Sequence, residues 1–403
     1  MKAQGAYSIE DFRNGAQRRL PRAIFDFFDG GAEDEVAMRA NRDAFERRKI
    51  VPRVLNDVRE VDTSTTLLGR AAPLPLAVAP TGGVGFGWPG GDIAIARAAA
   101  ALGIPYSLST TATASIEQVA REAPGRLWFQ AYVLRDQAFF DKLIARAFAA
   151  DYEALMITVD LPVGGKRERD FHNDFSIPFR FTPRNVRDFA LHPRWLLRLA
   201  RHGMPRMENL DGLAQHLKSA SAIASSVGRN YDPGFDWGRL ARVREQWPRK
   251  LVVKGVAHPE DARRLASMGC DAIVVSNHGG RQLDSSCATL DLLPAVASTL
   301  AGRVELMVDG GVRRGSDLVK ARALGATAVL CGRAPLYGAL VAGEAGAGRA
   351  LDILRDELVR TMQLAGIARF DGIDSQCLAA LGDVGHVGHV GHVGHVGHVG
   401  MFR

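Results

Sequence analysis

From residue 74 onward, short apolar runs alternate with stretches in which apolar residues recur three and four positions apart. The first pattern predicts buried strands and the second amphipathic helices. Strands are expected over 76–80, 105–109, 127–130, 154–158, 251–254, 272–276, 304–309 and 328–331. Helices are expected over 92–102, 115–123, 136–149, 238–246, 259–268 and 316–324. Eight strands with helices between them predict an α/β fold, a (β/α)8 TIM barrel. The barrel domain is placed at 74–366, behind an N-terminal helical cap over 1–73. A long interval, 161–236, interrupts the fourth unit as an extended loop 4 excursion, and insertions of that length are commonly functional. The tail, 367–403, ends in a Gly-His-Val repeat with His386, His389, His392, His395 and His398 spaced three apart. Such a repeat cannot bury a core, so the tail is expected to be disordered. Its imidazoles would share one side of an extended chain, enough for weak metal binding, but an adventitious repeat is preferred and no metal site is assigned.

Composition narrows the class. Apolar residues make up 47% and charged residues 24%, which is globular and excludes disordered or collagen-like chains. No apolar run reaches the roughly 18 residues a membrane span needs. The opening MKAQGAYSIEDF is polar and acidic and shows no secretory signal. Cys270, Cys287, Cys331 and Cys377 form no CxxC pair, which fits a reducing compartment and a cytoplasmic location.

The net charge of +7 is concentrated. Between residues 176 and 206 stand Arg180, Arg184, Arg187, Arg194, Arg198, Arg201 and Arg206 against one acid, Asp188. Phe179, Phe181, Phe189, Trp195, Leu196, Leu197 and Leu199 are interleaved with them. Arginines among aromatic and leucine residues suit a segment lying on an anionic membrane surface. A flap with solvated arginines is the plainer reading, and nucleic acid is not expected because no recognition module accompanies the patch.

Two glycine-rich stretches read differently. Gly85-Phe-Gly87-Trp-Pro-Gly90 matches GxGxxG by letters, but no acidic residue follows at the ribose-binding distance and Pro89 sits inside the turn, so a dinucleotide fold is rejected. Asp309-Gly310-Gly311-Val312-Arg313-Arg314-Gly315 and Cys331-Gly332-Arg333 close strands 7 and 8. Loops there hold phosphate in many barrels, with glycine amides, an arginine and a helix N-terminus. Chemistry-bearing residues also gather at other strand ends: Gln130 and Tyr132, Thr158 and Asp160, Lys254, and the run Ser276-Asn277-His278-Gly279-Gly280-Arg281-Gln282-Leu283-Asp284. Arg167 lies just beyond strand 4.

On the SNHGGRQLD and DGGVRRGSD stretches the chain resembles the FMN-dependent L-2-hydroxy acid dehydrogenase/oxidase family, over roughly residues 8–366. Leu191-His-Pro-Arg-Trp195, Arg201-His-Gly-Met-Pro205 and Arg167-Glu-Arg-Asp170 look most like its membrane-associated (S)-mandelate dehydrogenases, with bacterial L-lactate dehydrogenases the alternative. The resemblance implies FMN as cofactor, held by Thr81, Ser109, Gln130, Thr158, Lys254, Ser276, Asp309, Gly311, Arg313, Gly332 and Arg333. It implies that Arg167 and Arg281 grip a substrate carboxylate, that His278 takes a proton with Asp160 orienting it, and that Tyr132 bonds the substrate. Phe27 stands where the family has a tyrosine, so one hydroxyl contact is lost. Gly82 and Thr111, smaller than the residues of related glycolate oxidases, would leave room for an aryl substituent. The resulting expectation is oxidation of an (S)-2-hydroxy acid, mandelate-like, to its 2-keto acid. Electrons would pass to a membrane quinone at the cytoplasmic face of the inner membrane, the protein being peripheral and homotetrameric. Lactate oxidation, or a peroxide-forming oxidase, is the alternative.

Overall fold

The structure is a computed structural model, and it describes residues 3–175, 182–213 and 230–379. The chain opens with α1 (Ile9–Arg19), α2 (Arg22–Asp29) and α3 (Val36–Arg47). Ser8 starts α1 with a reciprocal cap: its hydroxyl accepts from Asp11 N–H at 3.1 Å while Asp11 accepts from Ser8 N–H at 2.9 Å. The N-terminal region, expected from sequence as a helical cap over 1–73, also contains strands. β1 (Thr65–Leu67) and β2 (Arg70–Ala72) form an antiparallel hairpin. Its tip residue Leu68 packs with Trp128, Met156, Val252, Val274, Met307 and Leu330, which fill the barrel, so the hairpin plugs the end opposite the strand C-termini.

Eight parallel strands follow: β3 (Leu76–Thr81), β4 (Tyr106–Ser109), β5 (Leu127–Tyr132), β6 (Ala154–Thr158), β7 (Lys250–Val256), β8 (Ala272–Val275), β9 (Glu305–Val308) and β10 (Ala328–Cys331). β10 pairs back onto β3, closing the barrel as the alternation predicts. The strands are almost wholly buried, which explains their near-continuous aliphatic runs. The surrounding helices are α4 (Gly91–Ala101), α5 (Ile116–Glu122), α6 (Gln137–Ala149), α10 (Trp237–Gln246), α11 (Pro259–Ser267), α12 (Thr289–Leu300), α13 (Gly315–Ala323) and α14 (Arg333–Ala365). α14 is broken at Ala342 and Gly343, whose φ of 58° is left-handed.

Loop 4 carries α7 (Glu168–His172), α8 (Pro183–Ala190) and α9 (Pro193–His202). Phe189 and Trp195, expected among the membrane-facing residues, are instead buried against the barrel. Val186, Leu191, Leu197 and Met204 are exposed, with Leu191 and Leu197 at 69% and 70%. Residues 176–181 of the expected segment lie outside the described residues.

Disorder was expected from residue 367 onward, but residues 367–379 are ordered against the body of the protein. Residues 367–379 return to the N-terminal region: Phe370 N–H donates to Asp62 O, Val51 N–H to Cys377 O and Ala379 N–H to Lys49 O. Phe370 and Ile373 are buried there, larger apolar side chains than any the Gly-His-Val repeat contains. The repeat itself lies outside the described residues.

Candidate active site

The C-terminal ends of the strands open on one cleft. Tyr132, Lys254, His278, Arg281, Arg167, Phe27, Gly82, Thr81, Asp309, Gly311, Arg313, Gly332 and Arg333 all line it. Lys254 and His278 therefore share a single cavity.

The rim is wired by hydrogen bonds between strand ends. His278 Nδ1 lies 3.0 Å from Asp160 Oδ1, and its Nε2 lies 3.3 Å from the Tyr132 hydroxyl. The imidazole and Tyr132 rings are stacked at 6.1 Å, and Tyr231 packs on Tyr132 at 5.1 Å. His278 is held at φ 59°, a left-handed conformation uncommon outside glycine and one that marks functional positions. Its backbone N–H donates to Ser276 Oγ at 3.0 Å, and the same oxygen accepts from Lys254 Nζ at 2.7 Å. The Lys254 ammonium also pairs with Asp309 at 3.0 Å. Burial opposes its charge, yet Asp309 and Asp160 outweigh burial and raise its pKa above that of an ordinary lysine. Burial likewise opposes the Asp160 carboxylate, but His278 and Lys254 prevail and lower its pKa. A carboxylate that stays ionised behind an imidazole lets His278 take up a proton.

Positive charge converges on the opposite side. Arg281 and Arg167 each stand 5.8 Å over the Phe27 ring. Arg281 donates to the Gly30 carbonyl at 2.6 Å, a neutral partner, while Arg167 pairs with Asp170 at 3.0 Å. Burial first, then the Arg167 and Arg333 cations, push Arg281 down to about 9. Crowding buried guanidiniums is unfavourable unless an anion completes the site, and a carboxylate matches their forked geometry.

Several expected residues stand elsewhere than on the lining. Ser109, Gln130 and Thr158 are buried between the strand ends and bond one another: Ser109 Oγ donates to Gln130 Oε1 at 3.1 Å, and Gln130 Nε2 to Thr158 Oγ1 at 3.0 Å. Arg333 lines the cleft, but its guanidinium is bonded to the Phe28, Gly30 and Gly279 carbonyls, which leaves two of its five N–H groups for a ligand. The N-terminus of α13, after β9, is closed off as an anion site. Asp317 accepts from the Arg313 and Arg314 amides, and Glu357 from Gly315. The helix start that reaches the cleft is that of α14, at Gly332 and Arg333. Gly82 lines the cleft, but a Cβ there would stand 2.1 Å from Thr111 Oγ1. Thr111, read with Gly82 from sequence as leaving room for a substituent, lines the cleft beside it.

Comparison with known proteins agrees with this geometry. A match to the FMN-dependent dehydrogenase family covers residues 16–380. The chain belongs to this family. It is 42% identical to (S)-mandelate dehydrogenase of Pseudomonas putida over 365 residues, covering 90% of this chain and 91% of the relative. It is also 42% identical over 375 residues to an L-lactate dehydrogenase of Caulobacter vibrioides, covering 92% and 97%. The crystal structure of monotopic membrane protein (S)-mandelate dehydrogenase superposes with a TM-score of 0.88 at 39% identity, covering 93% of this chain and all of that one.

An FMN-dependent dehydrogenase needs a polar cradle for its flavin phosphate and ring, and the cleft meets that test. Thr81 Oγ1 and Asp309 Oδ1 are buried on its lining without a hydrogen-bond partner among the described residues, which is costly unless a ligand supplies one. Gly310 and Gly311 take φ of 90° and 96°, and a Cβ on Gly311 would stand 2.6 Å from the Asn41 carbonyl, so the loop after β9 must be glycine to curl over the cleft. Three contributors to this dehydrogenase site escaped sequence reasoning. Asn41 on α3 pairs reciprocally with Asn277, the residue before His278, at 2.8 and 3.0 Å. Tyr231 backs Tyr132, and Met207 joins the lining. None lies in a motif, and only the folded excursion and N-terminal region bring them to the rim.

Proposed function

We propose that this FMN-dependent dehydrogenase oxidises an (S)-2-hydroxy acid with an aryl substituent to the 2-keto acid. The observation that carries the reading is the pairing, in one cleft, of the Asp160–His278 dyad with two converging arginines. Bound FMN supplies the acceptor for two electrons. Thr81, Asp309, Gly311, Arg313, Gly332 and Arg333 would hold it from the lining, with Ser109, Gln130, Thr158 and Ser276 stiffening the strand ends behind. Lys254, kept cationic by Asp309 and Asp160, places fixed positive charge where electron density arrives. Arg281 and Arg167 hold the substrate carboxylate, which fixes the 2-hydroxyl toward His278. His278 Nε2 takes a proton from the substrate, Asp160 stabilises the imidazolium that results, and Tyr132 steadies the hydroxyl.

The aryl preference is supported by the apolar and aromatic residues Phe27, Leu161, Met207 and Tyr231 on the cleft lining, and by likeness to an (S)-mandelate dehydrogenase. Equal identity to an L-lactate dehydrogenase supports lactate as the second reading. Stopped-flow reduction with (S)-mandelate and (S)-lactate separates them, since faster reduction by lactate rejects the aryl assignment. We further propose a peripheral membrane location, at the cytoplasmic face, and a quinone as electron acceptor. Exposed Val186, Leu191, Leu197 and Met204 beside Arg187, Arg194 and Arg201 support it, as does the monotopic relative. Among the described residues no helix is long and apolar enough to cross a membrane, which is consistent with surface attachment.

A further inference from the structure

The lipid-facing arm, 182–206, also touches both elements that wall the substituent side of the cleft. On α9, Trp195 Nε1 donates to the Phe86 carbonyl at 2.8 Å, 109 residues away in sequence. Phe86 ends the short turn Val84–Phe86 that directly follows Gly82 and Gly83. A Cβ on Gly83 would stand 3.0 Å from the Phe86 ring and 3.1 Å from Phe27, so the turn, the glycines and Phe27 pack as one body. Arg198 lies 3.9 Å over the Trp88 ring, and Trp88 in turn covers Gly343 at the break in α14. From the other side, Asp188 Oδ2 accepts from the Arg22 backbone N–H at 2.6 Å. Arg22 is the first residue of α2, and Pro21 before it has no side-chain oxygen to cap the helix. Asp188 supplies that cap from loop 4, and α2 carries Phe27.

We propose that Trp195 and Asp188 are positioning residues for substrate binding. The inner face of the arm fixes the Gly82–Gly83 loop and Phe27 against one another and so sets the pocket for the acid's substituent. This inference rests on reading the cleft as a 2-hydroxy acid site. Asp160, Lys254 and His278 stand at the ends of β6, β7 and β8, away from both anchors, so the brace governs binding and not the chemical step. The arm thus has two faces with separate jobs, lipid contact outside and pocket geometry inside.

The test is steady-state kinetics of the detergent-solubilised holoprotein with (S)-mandelate and a soluble dye acceptor. Trp195→Phe keeps an aromatic ring and removes the N–H along with part of the buried indole surface, and Asp188→Ala removes the cap while Asp188→Asn keeps an oxygen acceptor. Trp195→Phe and Asp188→Ala are each expected to raise KM about fivefold, the value of one net hydrogen bond. Their kcat should stay within about twofold, and Asp188→Asn should restore KM. Wild-type KM in both variants, even with a lowered Tm, would overturn the proposal, as would a kcat that falls as steeply as KM rises. If the wild-type protein oxidises no 2-hydroxy acid, the reading of the cleft has failed instead. The brace is then judged by hydrogen exchange: faster exchange at residues 82–88 in Trp195→Phe supports it, and unchanged exchange rejects it.

Discussion

The two sides of the cleft are built in different ways. The side that holds Asp160, Lys254 and His278 stands on the ends of neighbouring strands, and its polar groups are joined by bonds of 2.7–3.3 Å. The side that holds Phe27, Gly82 and Arg167 is assembled from α2, a glycine-rich loop and the excursion, elements that meet only through distant contacts. Strand ends are rigid, so charge and proton-accepting groups placed there keep their geometry. Loops and a docked helix can change their side chains without disturbing that machinery, and a barrel with one chemistry can in this way serve different acids.

The contrast is broken most severely on the strand side. His278→Asn should slow anaerobic flavin reduction by about 10²- to 10⁴-fold, the usual contribution of a positioned base, while the dissociation constant for (S)-mandelate changes little. A rate within tenfold of wild type would remove His278 from the chemistry. Next in size is the arginine pair. Arg281→Met should lower kcat/KM about 10- to 100-fold through loss of charged hydrogen bonds, with most of the change in KM. The same residue gives a pH signature. Arg281 is pushed down to about 9, so its cation is present below that pH and is lost as pH rises through it. Accordingly kcat/KM, which reports the free enzyme, should fall on the alkaline side near pH 9, and the fall should vanish in Arg281→Met.

Smaller effects sharpen the assembled side. Phe27 stands beside both guanidiniums without a polar group to offer a carboxylate. Phe27→Tyr should lower KM up to about tenfold, equivalent to roughly 1.5 kcal/mol, with kcat little changed. An unchanged KM would show that no substrate atom reaches that ring edge. Least of all should turnover respond to the outer face of the arm. Leu191→Glu with Leu197→Glu should abolish flotation with anionic vesicles and leave dye-linked turnover intact. This pair is a cleaner probe than deleting the arm, because deletion would also remove Trp195 and Asp188.

The same division explains what could be read from the chain beforehand. Strand periodicity located the barrel to within a few residues, because buried parallel strands are nearly continuous aliphatic runs. His278 and Arg281 were legible because they sit in one short glycine-rich motif at a strand end. Trp195 was expected outside, among arginines and leucines, since composition shows that a segment is amphipathic but not which aromatic residue has a buried acceptor waiting. Gly82 and Thr111 were read together as small residues, and the fold sets them side by side on the lining, so close that a Cβ on Gly82 would meet Thr111 Oγ1. The Asn41–Asn277 pair joins residues 236 apart, and no local pattern announces such a bond. The 309–315 and 331–333 loops were both legible as a phosphate site, but not which helix start serves the cleft, because Asp317 and Glu357 close the first one from positions that look like ordinary helix acids.

The most direct test is anaerobic mixing of the FMN-loaded protein with (S)-mandelate, (R)-mandelate and (S)-mandelamide while the flavin absorbance is followed. A dyad and an arginine pair acting on one ligand predict rapid bleaching by (S)-mandelate, none by its enantiomer, and little by the amide, which lacks the carboxylate. Bleaching by acid and amide at equal rates, or by neither, would contradict the account.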